Sequence, residues 1–353
     1  MSAVLPQQQI MEKILSIIVP SYNSEKFLDK CISSFLNEKV LDSLDIIIVN
    51  DGSTDGTVSK AEEYCGRYPG SVRLISQKNK GHGGALNTGL AAAKGKYSKV
   101  VDADDWVVTE NLPEYIESLK SAEAEVVLTH HYTIDVSNGE KKSWKSYPEK
   151  FGRTYSFSDI MSSWKSFDRS LTFHGITYKT EFYKKNCIQL SEHVFYEDHE
   201  YATIPCCKAK MVLPLDMFVY CYRIGDVAQS VSDENQLKRL SHTETVLKRL
   251  IDESEKIKLD DDQKKYYCMK AQGLLLSYIM TTLLVDKDRK RGRKNAEKMM
   301  LLFKDRLPET YILAEKQYKV FRLFNSLHIN KAGWERISGS LLYNKIRGNH
   351  SFE

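Results

Sequence analysis

Hydrophobic runs alternate with helical patterns through the first hundred residues. Nearly continuous apolar runs rich in β-branched residues at 14–19 and 44–49 predict strands buried on both faces, and a third strand is predicted at 72–76. Apolar pairs recur every three or four residues over 27–36, which predicts an amphipathic helix. A fourth strand is predicted over 97–101. This order indicates a parallel sheet wound by right-handed crossovers, an α/β fold class.

The pattern changes beyond residue 125. Strands are predicted at 125–129 and 214–222, and helical periodicity dominates from residue 233. The apolar run 273–285 is shorter than the roughly 20 residues that a membrane span needs, so we predict a buried helix there. The sequence therefore predicts two domains, an α/β domain over 1–232 and a helical C-terminal region over 233–353.

Composition narrows the class of protein. The 353 residues are 42% hydrophobic and 28% charged, as in soluble globular proteins, and the net charge of +4 is too small to indicate nucleic acid as a partner. Seven cysteines without regular spacing predict no disulfide framework, and residues 1–12 lack a signal-peptide pattern. We therefore expect a cytoplasmic protein. Residues 233–353 carry 25 Lys and Arg against 17 Asp and Glu, which favours an anionic surface or partner for that region.

Polar residues follow three of the predicted strands. Asp51 comes after the second strand, a glycine-rich stretch at 81–84 after the third, and three aspartates after the fourth. Because ligands of open α/β sheets bind beyond the carboxyl ends of the strands, these groups predict one shared pocket. A carboxylate that accepts an N–H, a set of glycine amides that approach phosphate and an acidic cluster suit a nucleoside diphosphate.

The acidic cluster predicts a metal site. Strand alternation places Asp102 and Asp104 on one side, with Asp105 on the other side or turned into the loop. Three close carboxylates raise one another's pKa unless a cation neutralises them. Oxygen ligands of this kind suit Mg²⁺ or Mn²⁺.

In order and spacing, these motifs resemble the family 2 glycosyltransferases of cell-surface polysaccharide synthesis. That resemblance implies the GT-A nucleotide-diphospho-sugar transferase fold, a Rossmann-like mixed sheet, over about residues 14–232. The matching segments are residues 19–23, 49–57, 79–89, 101–105 and 196–198.

The resemblance implies a donor site for a UDP-sugar. Pro20 and Tyr22 would flank the base, Asp51 would accept the N3–H of uracil, and Asp102 would contact the ribose. Asp104 would hold a divalent cation on the diphosphate, with Asp105 as a supporting or alternative ligand. The other candidates for donor contacts are Asn23, Gly81, Gly83, Asn87 and Arg223; for the last, a structural salt bridge is an equal alternative.

The resemblance also implies a base for the acceptor hydroxyl. It points to Asp198, with Glu197 beside it, as the carboxylate that faces the acceptor in an inverting transfer. A capping role at a helix start is the alternative reading of these acids. His82 in the glycine stretch either contacts phosphate or acceptor or serves the turn, and we expect acceptor contacts to begin at His130 and His131.

We therefore expect a metal-dependent, inverting glycosyltransferase that uses Mn²⁺ or Mg²⁺, a UDP-sugar and a glycan or lipid-linked acceptor of the cell envelope. The alternatives are a GDP- or dTDP-sugar as donor, a non-catalytic nucleotide- or sugar-binding module, and a nucleotidyltransferase. The last would need a basic, glycine-rich loop after the first strand, where this chain has residues 20–23. The basic segment 286–294 is either a peripheral contact to the inner membrane face or a solvated turn, and the tail either closes the acceptor site or forms a homo-oligomer contact.

Overall fold

The structure is a computed structural model that describes residues 13–186, 188–225 and 233–338. The chain divides into two compact units, Met1–Asp226 and Val227–Glu353. The boundary predicted after residue 232 lies close to this division. The roles suggested for the C-terminal region stay predictions.

A mixed sheet forms the centre of the first unit. Its strands are β1 (Leu15–Ser21), β2 (Leu44–Asn50), β3 (Val72–Ser76), β4 (Tyr97–Val100), β5 (Trp106–Val107), β6 (Val126–Asp135), β7 (Lys141–Trp144), β8 (Tyr155–Ser156), β9 (Ile176–Lys179) and β10 (Met211–Ile224). Their order is β3-β2-β1-β4-β9-β6-β10-β5, with β7 beside β6 and β8 beside β10. The predicted parallel arrangement holds for β1 to β4, whereas β9 runs antiparallel between β4 and β6.

Helices pack against this sheet. They are α1 (Glu25–Ser33), α2 (Thr57–Arg67), α3 (Gly81–Ala92), α4 (Leu112–Ser121), α5 (Phe157–Ser162), α6 (Thr180–Asn186) and α7 (Asp198–Thr203). The helix predicted over 27–36 is α1, which buries Leu28, Cys31 and Ile32 completely against the core. Burial of each large aliphatic side chain contributes about 1.5–3 kcal/mol, so the apolar period fixes which face of α1 meets the sheet.

The first and last strands of the parallel part end differently from the prediction. β1 continues through Pro20 to Ser21, which lies opposite Asn50 in β2. β4 ends at Val100, so the acidic cluster lies wholly in the loop that follows. These endings bring Ser21, Asp51 and the loop after β4 to the same edge of the sheet, because β1, β2 and β4 are parallel.

The described part of the second unit is helical. Its elements are α8 (Asp233–Lys238), α9 (Leu240–Ser254), α10 (Asp261–Met280) with a π-helical end (Thr281–Val285), α11 (Arg289–Arg306), α12 (Pro308–Ser326) and α13 (Lys331–Ser338). The stretch Asp261–Val285 is long and apolar enough to cross a membrane by length and composition, although 56% of its most apolar window is buried within the protein. Leu275, Ile279 and Leu283 are fully buried, as expected for the predicted buried helix.

The basic segment 286–294 is helical over most of its length, because α11 begins at Arg289. Arg291 pairs with Asp286 at 2.7 Å, and Arg289 donates hydrogen bonds to the carbonyls of Asn325, His328 and Ile329. The predicted turn between helices is therefore confined to residues 286–288. The exposed cations left for another partner include Lys290 and Lys294.

Candidate functional site

A cavity of about 360 Å³ opens at the carboxyl edge of the parallel strands. Its volume is in the range of small-ligand sites. Four of the residues predicted to bind the donor lie together in its lining, namely Pro20, Tyr22, Asp51 and Gly81. The other lining residues are Ser21, Asn79, His82, Ala85, His193, Val194 and Phe195.

Asp51 is held firmly at the wall of this cavity. Its side chain is buried, and Oδ1 accepts hydrogen bonds from Gln77 Nε2 at 2.7 Å and from the backbone N–H of Lys80 at 2.9 Å. Within the described chain, no side-chain hydrogen bond occupies Oδ2. The carboxylate is therefore fixed through one oxygen and keeps the other for a ligand donor.

Tyr22 and Asn23 follow β1 and differ in what their side chains do. The Tyr22 ring is 52% exposed and lines the cavity, so its face can pack on a flat ligand. Asn23 has φ 49° and Oδ1 accepts from the backbone N–H of Thr54 at 2.8 Å, while its own N–H donates to Ser53 Oγ at 3.0 Å. These bonds tie two loops together and favour a structural role for Asn23 over the predicted donor contact.

The glycine stretch begins α3 and packs under the segment 191–197. Gly81 has φ +77°, and a Cβ there would lie 2.8 Å from the backbone nitrogen of His193; at Gly83 a Cβ would lie 2.2 Å from the carbonyl oxygen of Ser191. The missing side chains therefore let 191–197 lie directly on the helix start. Protein atoms occupy the space beside Gly83 on that side, so only its backbone N–H remains for the predicted contact with phosphate.

Asn87 lies further along α3, outside the cavity lining. Its Nδ2 donates to the carbonyl of Leu190 at 3.0 Å, and its Oδ1 accepts from the N–H of Leu190 at 2.8 Å. Both ends of the amide are thus used to anchor the segment that leads into 191–197. This pairing favours a structural role over the predicted ligand contact.

The three aspartates after β4 have different surroundings. Asp105 is 1% exposed, and its oxygens accept from the Tyr220 hydroxyl at 2.5 Å and the Arg223 backbone N–H at 2.7 Å. Burial and the charges of Asp102 and Asp104 raise the pKa of Asp105 well above its usual value. These bonds favour a supporting role for Asp105 over its alternative role as the metal ligand.

Asp104, like Asp102, is partly exposed. Burial, and then the charge of Asp102, raise the pKa of Asp104 to about 6. The carboxylates repel one another as expected from the sequence, and a cation would relieve that repulsion. The charge of Arg223 acts in the opposite direction and lowers the pKa of Asp104. The Arg223 guanidinium lies 4.8 Å from the Phe27 ring centroid.

The residues fit a cation that also takes ligands from a substrate. Within the described ranges, no three His, Cys, Asp or Glu side chains form a ready metal cage. Mg²⁺ and similar ions are commonly held by one or two carboxylates together with substrate phosphates, so a complete protein cage is not required. The donor set suited to such an ion is the carboxylate of Asp104, with Asp102 nearby.

His82 joins the acidic cluster to the candidate base region. Its Nε2 lies 2.9 Å from Asp102 Oδ1, and its Nδ1 lies 2.5 Å from Glu197 Oε1. Burial opposes a charge here, but the two carboxylates outweigh it and raise the pKa of His82 well above its usual value. His82 is thus an imidazolium bridge, a role that neither sequence-based alternative included.

Glu197 and Asp198 stand at the start of α7. Glu197 is buried and bonded to His82, whereas Asp198 is partly exposed. Among the described residues, no side-chain hydrogen bond or ion pair engages the Asp198 carboxylate. This carboxylate is therefore accessible, as a base must be, while the Glu197 side chain is committed to the bridge.

Sequence reasoning also missed Tyr220. Its hydroxyl donates to Asp105 and accepts from the backbone N–H of Asp102 at 3.2 Å, so it fixes both ends of the acidic loop. The residues lie more than a hundred positions apart, and spacing along the chain gives no signal of such a contact. The sequence indicated only that an aromatic residue lies on the predicted strand 214–222, not that it contacts the acidic loop.

Comparison with known proteins agrees with the predicted family. Residues 16–185 match the model of the glycosyl transferase family 2. The chain is 35% identical over 131 residues to the glycosyltransferase GlyG of Streptococcus pneumoniae, covering 36% of this chain and 42% of GlyG. It is 35% identical over 140 residues to the chondroitin synthase of Escherichia coli, covering 38% of this chain and 20% of that protein. The matched regions thus span less than half of these curated relatives.

A solved structure shares the fold. TarS residues 1–349 from S. aureus, crystallised with UDP-GlcNAc, align with a TM-score of 0.59 over 90% of this chain and 92% of that chain, at 19% sequence identity. The mixed sheet with its helices and the C-terminal helical region are therefore those of a GT-A protein, as predicted. At this identity the likeness is one of fold.

Proposed function

Through residues 16–185 this chain belongs to the family 2 glycosyl transferases, and from that premise we propose that it transfers a sugar from a UDP-sugar to a hydroxyl group of a glycan or lipid-linked acceptor. The observation that carries the proposal is the cavity at the ends of β1 and β2, whose lining joins Asp51 to Gly81 and His82. His82 connects that lining to Asp102 of the acidic loop. Polysaccharide synthesis, the activity named for chondroitin synthase, is the pathway class we propose.

The chemistry of Asp51 supports uracil as the base. A carboxylate can accept the N3–H of uracil, and it disfavours cytosine, whose N3 carries no proton at neutral pH. Pro20 and the exposed ring of Tyr22 would flank the base, and Asp102 would accept from a ribose hydroxyl. TarS, which has the same fold, binds UDP-GlcNAc. Thymine and guanine also present ring N–H groups, so a dTDP- or GDP-sugar is the alternative donor.

Asp104 would hold a divalent cation, Mn²⁺ or Mg²⁺, with Asp105 as a supporting residue fixed by Tyr220. Such a cation supplies charge neutralisation on the departing diphosphate. The protein's own part is to hold the carboxylates close together in a partly buried loop. Burial and the charge of Asp102 raise the pKa of Asp104, and a cation would relieve the cost of keeping both carboxylates charged.

Asp198 would accept the proton of the acceptor hydroxyl in an inverting transfer. Its accessible carboxylate at the start of α7 suits that role. Glu197 would not act as the base itself, because His82 engages its carboxylate; it would instead hold the start of α7 against the acidic loop. We therefore propose Asp198 as the base and Glu197 as a positioning residue.

A panel of UDP-sugars tests the proposal by UDP release in the presence of Mn²⁺ and candidate acceptor glycans. The Asp198→Asn variant should bind UDP as the native chain does and lose transfer by a factor of about 10² or more. Glu192→Gln is the matched control, since Glu192 is an exposed acid of the same segment, paired with the exposed Lys80 at 3.7 Å. Undiminished transfer by Asp198→Asn would remove Asp198 as the base.

We also propose a cytoplasmic location with a peripheral contact at the inner face of the membrane, made by exposed lysines of α11. Lys290 and Lys294 lie one turn apart on the exposed side of this helix. Flotation with vesicles of phosphatidylglycerol and phosphatidylcholine tests this contact. Binding should fall when both lysines are changed to Gln, and should be unaffected by Lys165→Gln in the first unit. Equal binding by all three proteins would contradict the contact.

A further inference from the structure

A second cavity lies in the first unit, apart from the one proposed for the donor. It is an open cleft of about 340 Å³, enough for a monosaccharide, lined by β6, β7, β10 and the segment 168–174. We name it the histidine cavity. The residues that the argument uses are His131, Trp144, Arg169, Thr172, His174 and Tyr222.

Tyr222 links the histidine cavity to the acids of the proposed reaction centre. Its ring lies against His174, with the ring centroids 4.3 Å apart. The next residue of β10, Arg223, donates its backbone N–H to Asp105 Oδ1 at 2.7 Å. A sugar in the histidine cavity would therefore lie near the acidic loop of the proposed reaction centre.

Some buried polar atoms at the wall of the histidine cavity have no hydrogen-bond partner among the described residues. They include Nδ1 of His131, a residue that is 5% exposed, and Oγ1 of Thr172. A buried polar atom left unbonded costs about 1–3 kcal/mol, so native proteins usually provide a partner. Burial and the nearby Lys99 lower the pKa of His131 to about 3, so its imidazole is neutral at pH 7. A neutral imidazole and a hydroxyl suit the hydroxyl groups of a sugar.

Arg169 is the one cation among the described residues that line the histidine cavity. It is exposed at the rim and forms no hydrogen bond or ion pair with the part of the chain that the structure describes. Asp168, the one carboxylate among those lining residues, balances its charge. Because the guanidinium of Arg169 is not engaged by the described residues, it can bind an anionic group of a ligand.

We propose that the histidine cavity binds the acceptor sugar and that Arg169 selects an acceptor bearing an acidic group, a carboxylate or a phosphate. The inference rests on the proposed glycosyltransferase function and adds the substrate class on its acceptor side. The planar guanidinium of Arg169 can donate two parallel hydrogen bonds to either group, which gives preference for an anion over a neutral sugar of the same ring.

Titration calorimetry on the UDP- and Mn²⁺-loaded protein tests the inference with three probes: methyl glucoside, methyl glucuronide and glucose 6-phosphate. We expect at least one anionic probe to bind about tenfold or more tighter than methyl glucoside, the effect of one charge-assisted hydrogen bond. A preference for methyl glucuronide would identify a uronic-acid acceptor, and a preference for glucose 6-phosphate would identify a phosphate-bearing one. Arg169→Gln should remove the preference.

Two controls separate this inference from its alternatives. Arg153→Gln changes another exposed arginine of the same unit, which packs on Tyr155 and lies outside the histidine cavity, and should leave the preference intact. Thr172→Val should weaken all three probes in parallel, because it removes a hydroxyl without changing charge.

The outcomes are distinct from those of the donor proposal. If the native chain did not bind UDP, the proposed donor site would be wrong. If UDP still binds, three results would overturn the histidine cavity as an anionic acceptor site. They are equal affinity for neutral and anionic probes, no binding of any probe, and a preference that survives Arg169→Gln.

Discussion

Replacing Asp51 by Asn should move the nucleotide preference from UDP toward CDP. Gln77 Nε2 and the Lys80 N–H both donate to Asp51 Oδ1, at 2.7 Å and 2.9 Å. Because these two donors keep an oxygen at that place, the amide introduced by Asp51→Asn would turn its NH₂ group toward the cavity. That group can donate to the unprotonated N3 of cytosine and opposes the N3–H of uracil.

The expected size of the effect follows from the bonds exchanged. A hydrogen bond to a charged group contributes about 1.5–3 kcal/mol, so UDP should bind about 10- to 150-fold more weakly to the variant. A new neutral hydrogen bond contributes about 0.5–1.5 kcal/mol, so CDP should bind about 2- to 10-fold more tightly. The ratio of the two affinities therefore changes by more than either affinity alone.

Titration calorimetry with UDP and CDP at a fixed Mn²⁺ concentration measures both affinities. Asp104→Asn provides the control, because Asp104 is proposed to act on the diphosphate, which both nucleotides carry, and should weaken them equally. Thermal unfolding checks that Asp51→Asn remains folded. If a folded Asp51→Asn variant kept the UDP preference of the native chain, the assignment of Asp51 to the base would be wrong.

Three further predictions concern stability and positioning. Burial lowers the pKa of Lys99 to about 7, so above that pH the unfolded chain binds more protons than the folded chain. The free energy of unfolding of the native chain should therefore rise relative to that of Lys99→Met by about 1.4 kcal/mol per pH unit between about pH 7 and 10. Urea unfolding of both proteins measures this difference. Gly83→Ala places a Cβ 2.2 Å from a backbone oxygen and should destabilise the fold by about 1–3 kcal/mol. Gly66→Ala, in open space on α2, should stabilise the fold by about 0.5–1 kcal/mol. Equal unfolding midpoints for these two variants would contradict the packing argument. His82→Gln removes the imidazolium between two carboxylates and should lower kcat more than it weakens UDP binding; an unchanged kcat would remove His82 from the positioning of the acids.

The local elements of the first unit were predictable because local sequence determines them. The β-branched runs at β1 and β2 and the apolar period of α1 each carry their own signal within a few residues. The glycines at the start of α3 were also recognisable as positions of close approach. Their partner was not, because Ser191 and His193 lie more than a hundred residues away in the chain.

The division of labour among the site residues required the fold. Sequence alone grouped Asn87, Asp105 and Glu197 with the residues expected to act on ligands. The structure brings a backbone group of Leu190 to the first, the Tyr220 hydroxyl to the second and His82 to the third. Such pairings depend on contacts between distant segments, so a motif can identify the neighbourhood of a site without identifying which side chains remain available in it.

The antiparallel strand β9 illustrates the same limit for topology. Its four residues, Ile176–Lys179, are too few to stand out by alternation, yet β9 enters the sheet between β4 and β6. The pairing is decided by the partners that flank it, and Tyr178 becomes fully buried as a result. Local patterns therefore predict the parallel half of the sheet. The family resemblance implies a mixed sheet, but neither source predicts where β9 pairs.

The central claim is that the strand ends form one site for a nucleoside diphosphate and a divalent cation, and the most direct measurement is calorimetric titration of UDP with and without Mn²⁺. The account predicts saturable UDP binding that Mn²⁺ strengthens by about tenfold or more, with that increment lost in Asp104→Asn. Absence of heat for UDP and for every other nucleoside diphosphate in the presence of Mn²⁺ would contradict it.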